Sequence, residues 1–280
     1  MLNGSCEIWC SVSGACLQQF RGHKKSISDC CWSQDDRFIV TASDDTFLML
    51  WQSAGPTAPT CMRVYKGHTS PVLCCCMNWS NTLLASGSID EAVRLWCVAS
   101  GECIAVVPAH ADPVTCVSFS KDDALLVSVS YDGSCRVWDV NTCCCVHSVS
   151  HSRFAPITRL ALSARSCSIF AGTSAGELLF SDLNSDLVTN ILPRKFRRLL
   201  LVSPFELAQA ILVVAVDTEE CVVLMLLEAH GQVSEKFALS HTSLCHDGEL
   251  HAADCTQNGR QLIICGKNTI HVYEARVLRK

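Results

Sequence analysis

Charge is scarce in this sequence. Asp, Glu, Lys and Arg make up 18% of its 280 residues, while hydrophobic residues reach 49%. That balance excludes an intrinsically disordered chain and leaves ample material for a core. Basic charge is scarcer still: 22 Lys and Arg against 27 Asp and Glu give a net charge of −5. The basic stripe of a nucleic-acid binder is therefore missing. One dense basic run, Arg194, Lys195, Arg197 and Arg198, reads as a solvated connector or as a docking patch for acidic partners. No apolar run attains the ~18 residues of a membrane helix. Residues 1–10 lack a basic segment followed by an apolar one, so no secretory leader and no membrane partner are expected.

Catalytic patterns are missing as well. There is no Gly-x-Ser-x-Gly, no Gly-rich phosphate loop and no His-Glu-x-x-His. The acidic pairs Asp35-Asp36 and Asp122-Asp123 fall at equivalent tight turns, which accounts for them. No enzyme activity, cofactor or metal is expected on these grounds.

Cysteine, by contrast, is abundant: 21 residues. Many are neighbours, as in Cys30-Cys31, Cys74-Cys75-Cys76 and Cys143-Cys144-Cys145. Adjacent side chains on a strand point to opposite faces, so such runs serve both sides of a sheet as small hydrophobes. The Cys-x-x-Cys spacing of zinc sites is absent. The cysteines are therefore read as reduced packing residues in an intracellular, reducing compartment: cytoplasm first, with cytoskeletal, ciliary or nuclear placement as variants. A redox or metal role and a disulfide framework are the alternatives.

The chain repeats itself. From His23 to Trp51, His68 to Trp96 and His110 to Trp138 the interval is 28 residues each time. An Asp lies 22 residues after each His, at Asp45, Asp90 and Asp132, and the Trp follows it by six. Small residues precede each Asp: Thr41-Ala42-Ser43, Ser86-Gly87-Ser88 and Ser128-Val129-Ser130. Between these markers the pattern is β. First strands are expected at 27–32, 72–77 and 114–119, second strands at 38–41, 83–86 and 125–128, and third strands at 47–51, 92–96 and 134–138. A fourth follows each Trp, marked by a cysteine seven residues after Trp9, Trp96 and Trp138 and ten after Trp51. The longer interval contains the Gly55-Pro56 to Pro59 insertion.

Four short strands per 42 to 45 residues, opened by Gly-His and closed by Trp or Trp138-Asp139, resemble the WD-repeat family. The resemblance implies a β-propeller of four-stranded antiparallel blades. It further implies that His, Asp, a strand Ser or Thr and the Trp form a buried hydrogen-bonded tetrad, so His23, His68 and His110 are structural. Weaker copies extend the period, with Ser181, Leu224 and Tyr273 in the Trp position and Ala175 in an Asp position. One propeller over 1–280 is expected, with units at 1–20 (partial), 21–62, 63–105, 106–148, 149–192, 193–240 and 241–280. The seven units would leave an imperfect closure, with Met1 downstream of sequence for two more strands. A six-bladed ring, in which residues 5–20 complete a C-terminal sheet, is the alternative.

The function this implies is a non-enzymatic scaffold or adaptor for other proteins, or alternatively a sensor or regulatory propeller of a larger signalling protein. The residues before each structural Asp, Asp44, Ile89 and Tyr131, are the candidate contacts on one rim, joined by Phe154. The segments 27–29, 43–45, 67–68 and 108–113 are similar to the propeller adaptor of histone methyltransferase complexes. That adaptor grips arginine between aromatic rings, and Leu73 stands where one ring aligns. Ubiquitin-ligase receptors of the family carry Trp-Asp-x-Arg, whereas here the run is Trp138-Asp139-Val140-Asn141.

Overall fold

The computed structural model describes residues 4–10, 13–53, 59–150, 155–163, 168–182, 188–190, 196–205, 210–216, 222–227, 233–239, 250–255, 261–266 and 270–274. All regular structure among them is β, in seven antiparallel sheets. The chain divides into two compact units, Met1–Ser150 and His151–Lys280.

The first unit holds four sheets. A two-stranded sheet, β1 (Ser5–Trp9) and β2 (Cys16–Arg21), comes first. Three four-stranded meanders follow: β3 (Ile27–Trp32), β4 (Phe38–Ser43), β5 (Leu48–Gln52) and β6 (Cys61–Tyr65); β7 (Val72–Met77), β8 (Leu83–Ser88), β9 (Ala92–Cys97) and β10 (Cys103–Pro108); and β11 (Val114–Phe119), β12 (Leu125–Ser130), β13 (Ser134–Asp139) and β14 (Cys145–Ser150). Each first strand begins and ends where the sequence pattern places it. The second strands run two residues further than expected, through the last residue of Thr-Ala-Ser, Ser-Gly-Ser and Ser-Val-Ser. Cys16, Cys61, Cys103 and Cys145 open the fourth strands.

Burial explains the composition of each strand. β4, β8 and β12 share one profile, half-buried at the first residue and buried at the other five. A strand covered on both faces tolerates only small or apolar side chains, hence Ala, Gly, Val and Ser. Gly87 is where neighbours come closest: a Cβ there would lie 2.5 Å from Val114 Cγ1 and 2.7 Å from Cys74 Sγ. The cores lie between sheets. Val40, Leu48 and Leu50 of one sheet pack with Val72, Met77, Leu84 and Trp96 of the next. Val93, Leu95 and Val107 pack in turn with Val114, Phe119, Leu126 and Trp138. Phe20, with Cys6 and Ile8 beside it, packs on Ile39, Met49 and Trp51, and the Phe20 and Trp51 rings meet edge-on at 5.6 Å. Burying such a ring contributes ~2–3 kcal/mol.

Two bulges recur. In the first strands, Ser28, Leu73 and Thr115 fall in the register shift against β4, β8 and β12. In the fourth strands, Trp9, Trp51, Trp96 and Trp138 pair with Cys16, Cys61, Cys103 and Cys145. The next residue, Leu17, Met62, Ile104 or Val146, has no partner across the ladder. These four side chains are exposed.

Hydrogen bonds also cross between sheets. The turn residue Asn81 accepts the Gln34 N–H at 2.8 Å. Asp123, at the same turn one sheet later, accepts from Trp79 N at 2.8 Å, Ser80 N at 3.0 Å and Asn78 Nδ2 at 3.1 Å. Both acceptors have positive φ, as does Asp36 at the corresponding turn, a conformation that Asn and Asp tolerate better than other non-Gly residues.

The second unit repeats the meander: β15 (Ile157–Leu162), β16 (Ser168–Thr173), β17 (Leu178–Asp182) and β18 (Val188–Asn190); β19 (Arg198–Phe205), β20 (Ala210–Val216), β21 (Val222–Leu227) and β22 (Val233–Leu239); and β23 (Leu250–Cys255), β24 (Gln261–Gly266) and β25 (Ile270–Glu274). Ser181, Leu224 and Tyr273 each stand in the third strand of their sheet. An apolar cluster here includes Phe170, Leu178, Phe196, Leu199, Val213 and Met225.

Candidate functional site

The expected tetrad is built three times. His68 Nδ1 lies 2.8 and 3.1 Å from the two Asp90 oxygens, and its Nε2 lies 2.8 Å from Ser86 Oγ. Trp96 Nε1 donates to the same Oγ at 2.9 Å. His23, Asp45, Thr41 and Trp51 repeat this at 2.9, 2.8 and 2.9 Å. His110, Asp132, Ser128 and Trp138 do so at 3.0, 2.8 and 2.9 Å. A carboxylate only accepts, so each Nδ1 carries the proton and Nε2 is an acceptor. The hydroxyl then donates to Nε2 and accepts from the indole. Every member has one defined role, and the chain of donors runs from Trp to Asp.

Each Asp also orders its turn. Asp45, Asp90 and Asp132 accept the N–H of Lys24, Thr69 and Ala111 at 2.9, 3.0 and 3.2 Å. They also accept from Phe47, Ala92 and Ser134 two residues on. Burial pushes the Asp90 carboxyl up, but the bonds from His68, Thr69 and Ala92 outweigh it and hold its pKa down to about 2. Asp45 and Asp132 are lowered on the same balance. Burial holds the His110 imidazole below its ordinary value despite Asp132 beside it.

A hydroxyl, an imidazole and a carboxylate in line have the geometry of a nucleophilic triad. Here Thr41, Ser86 and Ser128 are fully buried, and each oxygen already accepts an indole N–H. Each hydroxyl is thus closed to solvent and committed to the network.

A second hydroxyl, not singled out from the sequence, completes each turn. Ser43, Ser88 and Ser130 accept the N–H of Asp45, Asp90 and Asp132 at 3.1 Å. They donate to the carbonyls of Ser26, Pro71 and Asp112 at 2.7, 2.8 and 2.9 Å. Ser134 is a further member, 3.0 Å from His110 Nδ1. The signal of Ser43, Ser88 and Ser130 in the sequence was a Ser two residues before each Asp.

The residues preceding the three Asp occupy one equivalent place. Asp44, Ile89 and Tyr131 donate their backbone N–H to Ser26, Pro71 and Pro113. Ile89 is 42% and Tyr131 46% exposed. Asp44 differs: it is half-buried and accepts from the Ser26 and Ser28 hydroxyls. Leu73 is half-buried at the β7 bulge. Phe154 lies outside the described residues.

The comparisons with known proteins agree on the repeat. The family described as "WD domain, G-beta repeat" matches residues 14–52, 59–97 and 101–139. One relative is the nuclear distribution protein PAC1-2 of Uncinocarpus reesii, 40% identical over 53 residues, which are 19% of this chain and 12% of that protein. Another is the Set1 complex component swd1 of Schizosaccharomyces pombe, 39% identical over 51 residues, 18% of this chain and 13% of that protein. The matched stretches thus span about an eighth of either relative.

Proposed function

Because this chain carries three WD40 repeats between residues 14 and 139, we propose that it is a non-enzymatic interaction scaffold that captures proteins on the face bearing the His–Asp turns. The observation that carries this reading is the pairing of rigid and exposed groups at one place. Each turn is fixed by a tetrad and a second serine, and Ile89 and Tyr131 project from it into solvent. An exposed aliphatic and an aromatic side chain on a preorganised frame have the composition of a binding hot spot, because little conformational freedom is lost on association. Asp44 and Thr69 give the surround a polar rim. The low basic charge favours protein over nucleic acid as the partner. That the relative swd1 is a component of the Set1 complex supports the same class of role. The free thiols throughout residues 1–150 fit a reducing, intracellular compartment.

The test is affinity capture by the full chain, followed by the Ile89→Ala/Tyr131→Ala double variant. The expected result is a set of protein partners whose affinity for the double variant falls at least ~30-fold, with an unchanged thermal midpoint. Undiminished capture by the variant overturns the assignment of the face.

A further inference from the structure

The β1–β2 sheet has two strands where the three sheets after it have four. Trp9 stands where Trp51, Trp96 and Trp138 stand, each paired with the cysteine that opens the next strand. β1 is therefore a third strand and β2 a fourth. Gly4 agrees with this register. It lies five residues before Trp9 and has φ 65°, as Thr46, Glu91 and Gly133 have φ 77°, 66° and 75° five residues before their own Trp. The chain thus enters β1 in the conformation with which it elsewhere leaves the turn from a second strand. Among the described residues, no strand is bonded to the edge of β1 away from β2. Burial shows the same opening. Trp9 is 48% exposed, against 2%, 1% and 7% for Trp51, Trp96 and Trp138. Cys6 and Ile8 are half-buried. Their equivalents Leu48 and Leu50, Val93 and Leu95, and Cys135 and Val137 are buried.

We propose that the free edge of β1 is a strand-addition site for an extended segment of another protein, whose Ser or Thr hydroxyl accepts the Trp9 indole N–H. The three four-stranded sheets state what that segment must carry. Opposite the Trp they place Ile39, Leu84 or Leu126, and two residues further on Thr41, Ser86 or Ser128; between and after these stand only Val, Ala or Gly. The hydroxyl takes the indole N–H in all three. On β1 the same register sets an aliphatic residue opposite Trp9 and the hydroxyl opposite Glu7, with small apolar residues opposite Ile8 and Cys6. Main-chain bonds to the edge supply affinity, and the alternating side chains supply selectivity. A two-stranded sheet is marginal by itself, so a third strand also stabilises the site that receives it. A second copy of this chain fits worse. β1 laid antiparallel on itself at full overlap sets Glu7 opposite Glu7, and like charges directly opposite repel. The site uses none of the residues of the His–Asp turns, so it stands or falls separately from the role of Ile89 and Tyr131.

The probe is a synthetic peptide copying residues 110–132, which carries a first and a second strand together with His110, Ser128 and Asp132. Added to the full chain, it lets Trp9 complete a tetrad. Amide exchange across residues 5–9 is expected to slow by at least ~10-fold at saturating peptide. Ser128→Ala in the peptide and Trp9→Phe in the chain are each expected to weaken binding by ~5–10-fold, and both together by little more than either alone, because they break one bond. The thermal midpoint of Trp9→Phe checks that it folds. Residues 5–9 left unprotected by the peptide, or equal binding of its Ser128→Ala form, would overturn the proposal. So would protection confined to residues 134–139, which marks strand exchange in the β11–β14 sheet. Protection of residues 5–9 that arises without peptide as the chain dimerises would assign the edge to a second copy instead.

Discussion

Ser86 Oγ sits between Trp96 Nε1 at 2.9 Å and His68 Nε2 at 2.8 Å, and it is the only atom that makes the indole and the imidazole into one network. Its removal strands two buried groups rather than one. Ser86→Ala is expected to cost ~2–4 kcal/mol, from the desolvation of an unpaired N–H and an unpaired ring nitrogen. Trp96→Phe keeps most of the ring and strands only the hydroxyl lone pair, so a smaller loss of ~1–2 kcal/mol is expected. Because both changes break the same bond, the double variant should lose less than the sum. Urea denaturation of the four proteins measures this, and strict additivity would show that the network does not act as a unit.

Stability is expected to fall on acidification in two stages. His110 is depressed in the folded state, so the unfolded chain binds its proton first. Its contribution is complete above the ordinary value of 6.5 and declines as pH falls below it. Asp90 is depressed from 3.8 to about 2. Its contribution is present above 3.8 and is lost as pH falls toward 2. Denaturant midpoints from pH 8 to pH 3 should therefore decline monotonically on the acid side. Asp90→Asn should lower the plateau and flatten the lower limb; an unchanged acid limb in that variant would remove Asp90 from the account.

The turn after each structural Asp needs a left-handed residue. Gly133 supplies it with φ 75°, but Thr46 has φ 77° and Glu91 φ 66°. A side chain in this region costs ~1–2 kcal/mol, part of which glycine loses again through the entropy of the unfolded chain. Thr46→Gly and Glu91→Gly are each expected to raise stability by ~0.5–1 kcal/mol, with the larger gain at β-branched Thr46. Gly133→Ala should do the reverse. Thermal melts of the three variants rank them.

Asp123 ties one sheet to the turn of the one before through three donors. Asp123→Ala is expected to cost ~1–3 kcal/mol and to increase amide exchange at Trp79 and Ser80. Asp123→Asn, which retains one oxygen acceptor, should restore part of the protection. Exchange in the variant equal to that of the original chain would show that these bonds contribute nothing.

What the sequence discloses here depends on how a position is constrained. The His–Asp–Trp spacing locates the strands of residues 1–150 closely, because three partners in one hydrogen-bonded network cannot drift in register. In the β15–β18 sheet that constraint is gone. Ala171, Ala175 and Ser181 stand where a hydroxyl, a carboxylate and an indole would otherwise meet, and the buried Ser181 hydroxyl has no partner. The four-strand order survives in that sheet while these three markers do not. The strained turns at Thr46 and Glu91 are invisible for another reason: nothing in their side chains announces a positive φ. The cross-sheet bonds of Asn81 and Asp123 depend on which sheet lies beside which. Exposure separates Ile89 and Tyr131 from Asp44, and that too is a property of packing.

The bulges at Leu17, Met62, Ile104 and Val146 fall on the outermost strand of each sheet in the first unit. An outermost strand offers a row of unpaired amides, and four exposed apolar side chains would add to its attraction for a stray strand. A bulge interrupts that row one residue after the Trp–Cys pair and turns the strand locally. An incoming chain meets a template whose repeat is broken near its start, so it cannot zip along the full length. These strands therefore resist edge-to-edge aggregation by geometry, without spending charged residues on the task.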